Sequence, residues 1–349
     1  MIRKKKINIY VYIMNINFNI SLVLDSDLNK NINKLIKYYN NSNYFKSLVK
    51  DKPARNKFTL MGMIGNSYVY LRLTPGRFGF NKIEKTSIPF TEKYGKDCGL
   101  ISNLISQKLI TPFTKEKNLL WRNYIVKQNA FPYFKTHLLI ISSDYNCEKP
   151  TIRGSQKDIY NNPIIIKDML EFYNLRKQKG FMFFNGLIGN SQNHFHFHYV
   201  TDRNYLNNII NKIKTLKYKN FKTQNGTNIT IFNSDDCPCY NGTIFYGKLD
   251  QISKDIFYFL KKVNKEKYLY NLVIIPSKNI KKYQVIIYIR KHIGKNLDKK
   301  LSIVMGANFG YLVLKDIDDE KLKNNILEKN LLEYCKISFL KSKKKYFDL

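Results

Sequence analysis

The residues best suited to chemistry lie in the stretch Asn185–Val200, which reads NGLIGNSQNHFHFHYV. The chain has five histidines, and His194, His196 and His198 alternate here with aromatic residues. Alternation is the period of a β-strand, so the three imidazoles share one face and the aromatic rings share the other. A sheet would bury the aromatic face and present a row of imidazoles spaced by about 7 Å. Packing does not require three polar rings on one face, so we interpret this stretch as an active-site strand.

A neutral imidazole in such a row can act as a nucleophile toward phosphorus. Its ordinary pKa of about 6.5 keeps it largely neutral at physiological pH. Attack on the α-phosphate of a nucleotide would give a nucleotidyl-histidine, which divides one difficult displacement into two easier ones. His196 has an imidazole on either side in the row, and we take it as the nucleophile.

Phosphoryl transfer also needs hydrogen-bond donors around the phosphoryl oxygens. The loop before the histidine strand can supply them from backbone amides and polar side chains. The reaction expected from these groups uses no cofactor and no bound metal. The candidate substrate-binding residues are Asn185, Gly189, Ser191, Gln192 and Asn193.

Two other interpretations of the histidine row stay open at this point. His-x-His on a strand also suits zinc, as in α-carbonic anhydrases, where a neighbouring strand supplies a third histidine. Here only His292 follows, after a long gap, and three alternate residues on one strand span a long distance for one tetrahedral ion. The other interpretation is a purely structural row of histidines.

The charge of the chain indicates a polyanionic partner. Lys and Arg number 60 against 26 for Asp and Glu, which gives a net charge of +34. Nucleotide phosphates, RNA or an anionic membrane surface would suit this excess. The alternative is genome composition, because Lys, Asn, Ile, Tyr and Phe, all encoded by A/T-rich codons, are abundant together. The charge is spread along the whole chain without an Arg-rich cluster.

Cysteine usage and the apolar stretches predict a cytoplasmic protein. The five cysteines show no pairing pattern, which is typical of a reducing compartment and argues against a disulfide framework. The N-terminal basic residues precede an apolar run at 7–20, but asparagines interrupt it and it alternates like a strand. No stretch approaches about 20 uninterrupted apolar residues, so we expect no membrane span.

The surrounding elements indicate an α+β protein built from a repeated unit. A helix at 164–177 and a strand at 181–185 lead into the histidine strand, and a strand at 136–142 begins with His137. After about residue 205 the order helix, strand, strand recurs without histidine on its last strand. We therefore predict one catalytic half and one degenerate half. The second copy comprises a helix at 249–263 and strands at 270–275 and 283–289.

The remaining pattern predicts the ends of the chain and its domains. The domains would be an N-terminal strand and helix extension (1–60), a catalytic half (61–205) and a degenerate C-terminal half (206–349). The further predicted elements are strands at 7–22, 67–73, 228–232, 243–246 and 310–315, an extended segment at 119–126, and helices at 27–39 and 316–340.

The histidine strand resembles the signature of the histidine-triad (HIT) superfamily, His-φ-His-φ-His-φ-φ, where φ is apolar. The residues Gly189-Asn-Ser191-Gln-Asn-His194 are similar to its Gly-x-Ser-x-x-His approach. The stretch 129–141, NAFPYFKTHLLII, resembles its turn followed by a His-apolar strand. The resemblance implies a HIT-like antiparallel sheet with flanking helices. It also implies that His137, His194 and His198 support His196 as the nucleophile.

A longer resemblance is to the GDP-hexose phosphorylases (GDP-D-glucose and GDP-L-galactose phosphorylases). It covers 184–198, an upstream Phe-Asn-Lys-Ile at 80–83 and a segment at 307–315. It implies that a GDP-hexose guanylylates His196, that sugar phosphate leaves and that inorganic phosphate is the acceptor. By the same resemblance Asn185, Ser191 and Asn193 would hold the phosphates or the ribose.

The chain departs from that pattern in two places. The loop from Asn185 to His194 is one residue shorter, and His198 stands where many transferases of the superfamily have Gln. Glucose-type enzymes and hydrolases share His there, so His198 does not separate transfer to phosphate from hydrolysis. We expect GDP-hexose as the first choice of substrate. The alternatives are cleavage of a dinucleoside polyphosphate or an mRNA cap, and a non-catalytic nucleotide- or RNA-binding protein.

Overall fold

A computed structural model describes 20–41, 58–64, 67–73, 118–129, 136–142, 159–186, 195–201, 210–211, 214–234, 240–291, 303–308, 311–314, 332–333 and 335–347. These residues form two sheets, and three α-helices are described over their full length. The elements in chain order are β1 (Ile20–Val23), α1 (Asp25–Asn41), β2 (Phe58–Ile64), β3 (Ser67–Leu73), β4 (Asn118–Trp121), β5 (Tyr124–Gln128), β6 (His137–Ser142), α2 (Pro163–Leu175), β7 (Phe181–Phe184), β8 (His196–Val200), β9 (Lys217–Lys222), β10 (Asn228–Asn233), β11 (Gly242–Gly247), α3 (Leu249–Lys265), β12 (Leu269–Ile275), β13 (Tyr283–Arg290), β14 (Ile303–Asn308), β15 (Tyr311–Leu314) and β16 (Phe339–Leu340).

The larger sheet has twelve strands, and the same strand order occurs in it twice. Its main path is β1-β4-β5-β6-β8-β7-β12-β13-β11-β10-β9, and β16 pairs with β13. We define β4 to β8 with α2 as the first half, and β9 to β13 with α3 as the second half. In each half three strands come first, a helix follows, and the last strand inserts beside the third. The two halves meet where β7 pairs antiparallel with β12.

One face of this sheet forms the main hydrophobic core with all three helices. Alternate strand residues point to that face, because the side chains of a strand alternate between its two sides. Helix α2 begins at Pro163, and the Asn162 side chain accepts a hydrogen bond from the backbone N–H of Ile164. None of the helices in the described residues is both long and apolar enough to cross a bilayer. Core residues from the strands and helices include Met169, Phe172, Phe184, Phe197, Phe259, Leu272 and Val285.

Three element predictions differ from the structure. The segment 119–126 falls on two strands, because Arg122 adopts a left-handed φ of 50° in the turn between β4 and β5. The predicted helix 316–340 ends early, since 332–333 and 335–338 are helical but Phe339 and Leu340 form β16 on the edge of β13. The histidine strand begins at His196 instead of His194. Of the predicted strand at 7–22, only 20–22 are described, and they belong to β1.

The smaller sheet joins distant parts of the chain. Its order is β14-β15-β3-β2, and β15 pairs in parallel with β3. The predicted strands at 67–73 and 310–315 therefore lie side by side in this sheet. This pairing and that of β7 with β12 both join residues that we assigned to different domains. The proposed domain limits stay a prediction.

Candidate active site

Strand β8 lies between β6 and β7 and divides its side chains between two environments. Phe197 and Tyr199 are buried in the helix-covered core, and His196 and His198 point to the opposite face. This agrees with the alternation in the sequence. The histidine face is not an open row, however, since both rings are 5% exposed and their centroids are only 5.0 Å apart.

The aromatic face of β8 is tied to helix α2. Phe172 of α2 packs edge-on against Tyr199 with ring centroids 5.9 Å apart. The Arg176 Nε–H donates to the Tyr199 hydroxyl over 3.2 Å, and its Nη1 donates to the Asn29 carbonyl of α1 over 3.1 Å. Burying the aromatic side chains fixes which face of β8 carries the histidines, because a slip of one residue would exchange the two faces.

His137 and His198 form a hydrogen-bonded pair across β6 and β8. The His137 Nε2 and the His198 Nδ1 are 2.8 Å apart, and His137 is fully buried. A neutral imidazole has one donor and one acceptor nitrogen, so one ring donates to the other and the tautomers of the two rings are linked. A proton gained or lost by either ring therefore changes the hydrogen bonding of both. The amide nitrogen of Asn129 lies 3.3 Å from Nδ1 and 3.2 Å from Nε2 of His137.

The ring of His198 is held on two further sides. Phe183, its direct partner on β7, stacks on it with a centroid distance of 4.3 Å and an interplanar angle of 2°. The Asn185 amide nitrogen lies 3.4 Å from the His198 Nε2. Both neighbours come from the short segment 183–185, which leads out of β7. His198 is thus fixed in position and in plane, as a group that exchanges protons in a reaction must be.

His196 stands beside this pair. Its ring meets that of His198 edge-on at an angle of 69°, and its partner on β6 is Ile141. Leu139 and Ile141 form a small apolar cluster on this face, which limits water around the imidazoles. The structure thus brings an imidazole next to two others that share a proton.

Four of the nine predicted site residues meet in this cluster, which we call the histidine cluster: His137, Asn185, His196 and His198. The Asn185 side chain was expected to hold phosphates or ribose, and the structure places it beside His198. Among the described residues, no group of three or more His, Cys, Asp or Glu side chains is placed to hold a metal ion. The other predicted site residues, Gly189, Ser191, Gln192, Asn193 and His194, and also His292, lie outside the described residues.

Phe183 and Asn129 contact the histidine cluster, and the sequence interpretation missed both. Phe183 lies two residues before Asn185, so the two share a face wherever β7 is extended. Asn129 begins the stretch 129–141 that carries part of the HIT resemblance, and its N–H donates to the His137 carbonyl over 2.8 Å. Those two signals could have found them, had the neighbours of the histidine strand been considered as well as the strand itself.

The chain leaves β7 through Gly186, a position that tolerates no side chain. Its φ is +60°, and a Cβ there would come 2.4 Å from the backbone carbonyl oxygen of Tyr270 on β12. Glycine alone adopts this conformation without strain and permits the close approach of the two backbones. Gly186 therefore lies directly against β12 of the second half.

Comparison with known proteins gives structural likenesses only. No family model matches the chain, and no curated protein matches its sequence significantly. Yeast Ap4A phosphorylase Apa2 in complex with Ap4A shares 14% identity at a TM-score of 0.45 over 89% of this chain and 99% of the other. A DUF4931 family protein from Bacillus cereus shares 13% identity at a TM-score of 0.34, over 60% of this chain and 95% of the other. A uridylyltransferase shares 12% identity at a TM-score of 0.27, over 59% of this chain and 76% of the other.

Proposed function

We propose that this chain is a nucleotidyl transferase or phosphorylase that forms a nucleotidyl-histidine intermediate on His196. The observation that carries the proposal is the position of His196 at the edge of the hydrogen-bonded pair His137–His198. A lone buried imidazole could be structural. A nucleophile beside two rings whose tautomers are linked is equipped for covalent catalysis with proton transfer.

The proposed reaction has two displacements at the α-phosphorus. A ring nitrogen of His196 forms the bond to phosphorus, and the bond to the bridging oxygen breaks, so that the leaving phosphate or sugar phosphate takes the electron pair. The oxygen of an acceptor then attacks the same phosphorus, and the bond to His196 breaks. His198, connected to His137, can supply a proton to the leaving oxygen in the first step and receive one from the acceptor in the second.

The first-choice substrate is a GDP-hexose, with inorganic phosphate as the acceptor. Support comes from the resemblance of 184–198 and 80–83 to the GDP-hexose phosphorylases. We further propose that the sheet arose from a duplicated HIT-like unit with one catalytic and one degenerate half. The identical strand order of the two halves supports that view. The proposed location is the cytoplasm, on the basis of the cysteine usage.

A second candidate is cleavage of an mRNA cap. The net charge of +34 favours it, since phosphates along an RNA would be drawn to a strongly basic protein. Affinity for capped RNA would then fall steeply with rising salt. Cleavage of a dinucleoside polyphosphate uses the same two displacements. A protein that only binds nucleotides or RNA would form no adduct.

The decisive experiment incubates the protein with GDP-glucose, GDP-mannose, diadenosine tetraphosphate or a cap dinucleotide, with and without inorganic phosphate. Intact mass reports an added nucleotide, and chromatography reports the products. The proposal expects a GMP adduct on His196 and phosphate-dependent formation of GDP. Phosphate-independent release of a mononucleotide would indicate a hydrolase, and the absence of an adduct with every substrate would contradict the covalent mechanism.

The same assay separates this mechanism from zinc catalysis. A nucleotidyl-histidine mechanism does not require a bound metal, so activity should survive treatment with EDTA. Inhibition by EDTA that added zinc reverses would instead support the zinc interpretation of the histidine strand.

A further inference from the structure

A buried polar chain of residues in the second half ends at the histidine cluster. Arg290, at the end of β13, is fully buried, and its Nη1–H donates to the Asn271 Oδ1 of β12 over 2.6 Å. Asn271 is also fully buried, and its Nδ2–H donates to the backbone carbonyl of Asn185 over 2.6 Å. The side chain of Asn185 lies next to His198. Two residues of the second half therefore connect to the first-half cluster through one backbone carbonyl.

Arg290 is held firmly enough to orient Asn271. Its Nε and Nη2 donate to the Ser338 hydroxyl over 2.8 and 2.6 Å, and its guanidinium lies 3.9 Å from the ring centroid of Phe339. An arginine carries all its donors in one rigid plane, so fixing one side of the fork directs the other. A donor from Arg290 to Oδ1 leaves only the amide nitrogen of Asn271 to face Asn185. The hydrogen bond from Arg290 therefore fixes which end of the Asn271 amide faces Asn185.

The hydrogen bond from Asn271 holds the backbone at the residue that directly follows β7. Asn185 directly follows β7, and at the next residue, Gly186, a Cβ would come 2.4 Å from the Tyr270 carbonyl oxygen. The backbone at 185–186 thus lies close to two successive residues of β12, and Asn271 binds it directly. Any displacement of the Asn185 carbonyl moves its own side chain relative to the His198 Nε2.

We propose that Asn271, oriented by Arg290, is a positioning residue for the histidine cluster. It holds the Asn185 carbonyl and so keeps the Asn185 amide beside His198. The second half would thereby contribute to catalysis without supplying a residue that touches the substrate. This role rests on the proposed function insofar as the histidine cluster is taken to be catalytic.

The test is Asn271→Asp, with Asn271→Ser as the neutral alternative. The aspartate still accepts from Arg290 but cannot donate to the Asn185 carbonyl. The serine is shorter than asparagine, so it is too far from both Arg290 and that carbonyl and removes both hydrogen bonds without adding a charge. We expect the rate of nucleotidyl-enzyme formation to fall by about 10- to 100-fold, since small misplacements of reacting groups cost rates of that order. The protein should still unfold cooperatively.

A second readout does not depend on any substrate. In protein labelled with ¹⁵N-histidine, the ring nitrogen shifts of His198, assigned with His198→Gln, report which nitrogen carries the proton. We expect Asn271→Asp and Asn271→Ser to change these shifts. If no nucleotide labels the wild-type protein, the proposed function fails, but the shifts still decide whether Asn271 positions His198.

The matched control is Thr243→Val in the same half. It removes a buried hydrogen bond of 2.6 Å between Thr243 and Ser342, which has no connection to Asn185 among the described contacts. It should lower stability and leave adduct formation and the His198 shifts at wild-type values. Folded Asn271 variants with unchanged shifts and an unchanged rate would overturn the proposal. Unfolding of both Asn271 variants would also overturn the proposal, because Asn271 and Arg290 would then be purely structural.

Discussion

The two halves of the large sheet share a strand order but place different side chains at the equivalent pairing of their last two strands. In the first half, His198 of β8 pairs with Phe183 of β7. In the second half, Tyr288 of β13 pairs with Asn271 of β12. On the face away from the helices, the first half has imidazoles, whereas β13 has Ile286, Tyr288 and Arg290.

The two halves thus share a strand order and differ in the side chains that it carries. Both last strands are almost completely buried, so burial alone does not distinguish a catalytic strand. On its buried face the first half carries imidazoles, which are able to exchange protons. The second half uses the same face for apolar packing and for an arginine whose hydrogen bonds lead to the first half. The same strand order thus carries different side chains in the two halves, and any difference in their roles would follow from those side chains.

The largest expected effect comes from the paired variants His196→Ala and Ile286→Ala. Removing the proposed nucleophile should lower turnover by a factor on the order of 10³ or more, with cooperative folding kept. Ile286 is fully buried on the corresponding face of β13, and its truncation should instead lower the free energy of unfolding by about 2–5 kcal/mol. Steady-state rates and denaturant unfolding of both variants measure the contrast. Retained activity in His196→Ala would remove the nucleophile assignment.

A smaller effect is expected from Gly186→Ala, with Gly226→Ala as its control in the second half. Both glycines have positive φ, +60° and +88°, so both variants should lose about 1–3 kcal/mol of stability from backbone strain. Gly186→Ala should lose more, because its Cβ would also meet the Tyr270 carbonyl oxygen. Only Gly186 faces a backbone carbonyl next to the cluster, whereas a Cβ at Gly226 meets the movable side chain of Gln251. We therefore expect loss of activity for Gly186→Ala alone. Equal activity in the two variants would show that the exit from β7 does not control the site.

The smallest expected effect concerns two carboxylates, Asp25 beside the first half and Glu266 beside the second half. The Arg122 guanidinium, hydrogen-bonded to Asp25, lowers the pKa of that carboxyl, and the same guanidinium binds Asp168 and Glu171. Lys345 and then Tyr346 lower the pKa of Glu266 beside the second half. A lowered folded-state pKa contributes stability above the unfolded-state pKa, and this contribution is lost as the pH falls through the folded-state value.

Asp25→Asn should therefore destabilise the protein at neutral pH and have progressively less effect in acid. Asp25 is 47% exposed, so the effect should be below about 1 kcal/mol. Glu266→Gln should show the same direction of pH dependence. Chemical denaturation at several pH values measures both, and an effect that grows on acidification would contradict the assigned ion pairs.

Local pattern was enough to predict which face of β8 carries the histidines and where α2 lies. Alternation in 194–200 separates histidines from aromatics, and Pro163 and Gly180 enclose a helical pattern that the structure places at α2. These signals are local, because they depend on strand period and helix capping. The stack of Phe183 on His198 was not predicted, since it depends on which residue of β7 lies opposite. The turn at Arg122 was also missed, because a left-handed arginine has no sequence signature.

The sequence by itself determined the chemical inventory of this protein: an alternating histidine strand, a second histidine at 137 and a large excess of positive charge. Tertiary structure alone decided which of these groups meet. His137 reaches His198 across 61 residues because the register of β6 on β8 puts them diagonally opposite. Asn271 reaches Asn185 because β7 pairs with β12. Contacts of this kind depend on strand pairing between distant segments, which no local pattern encodes.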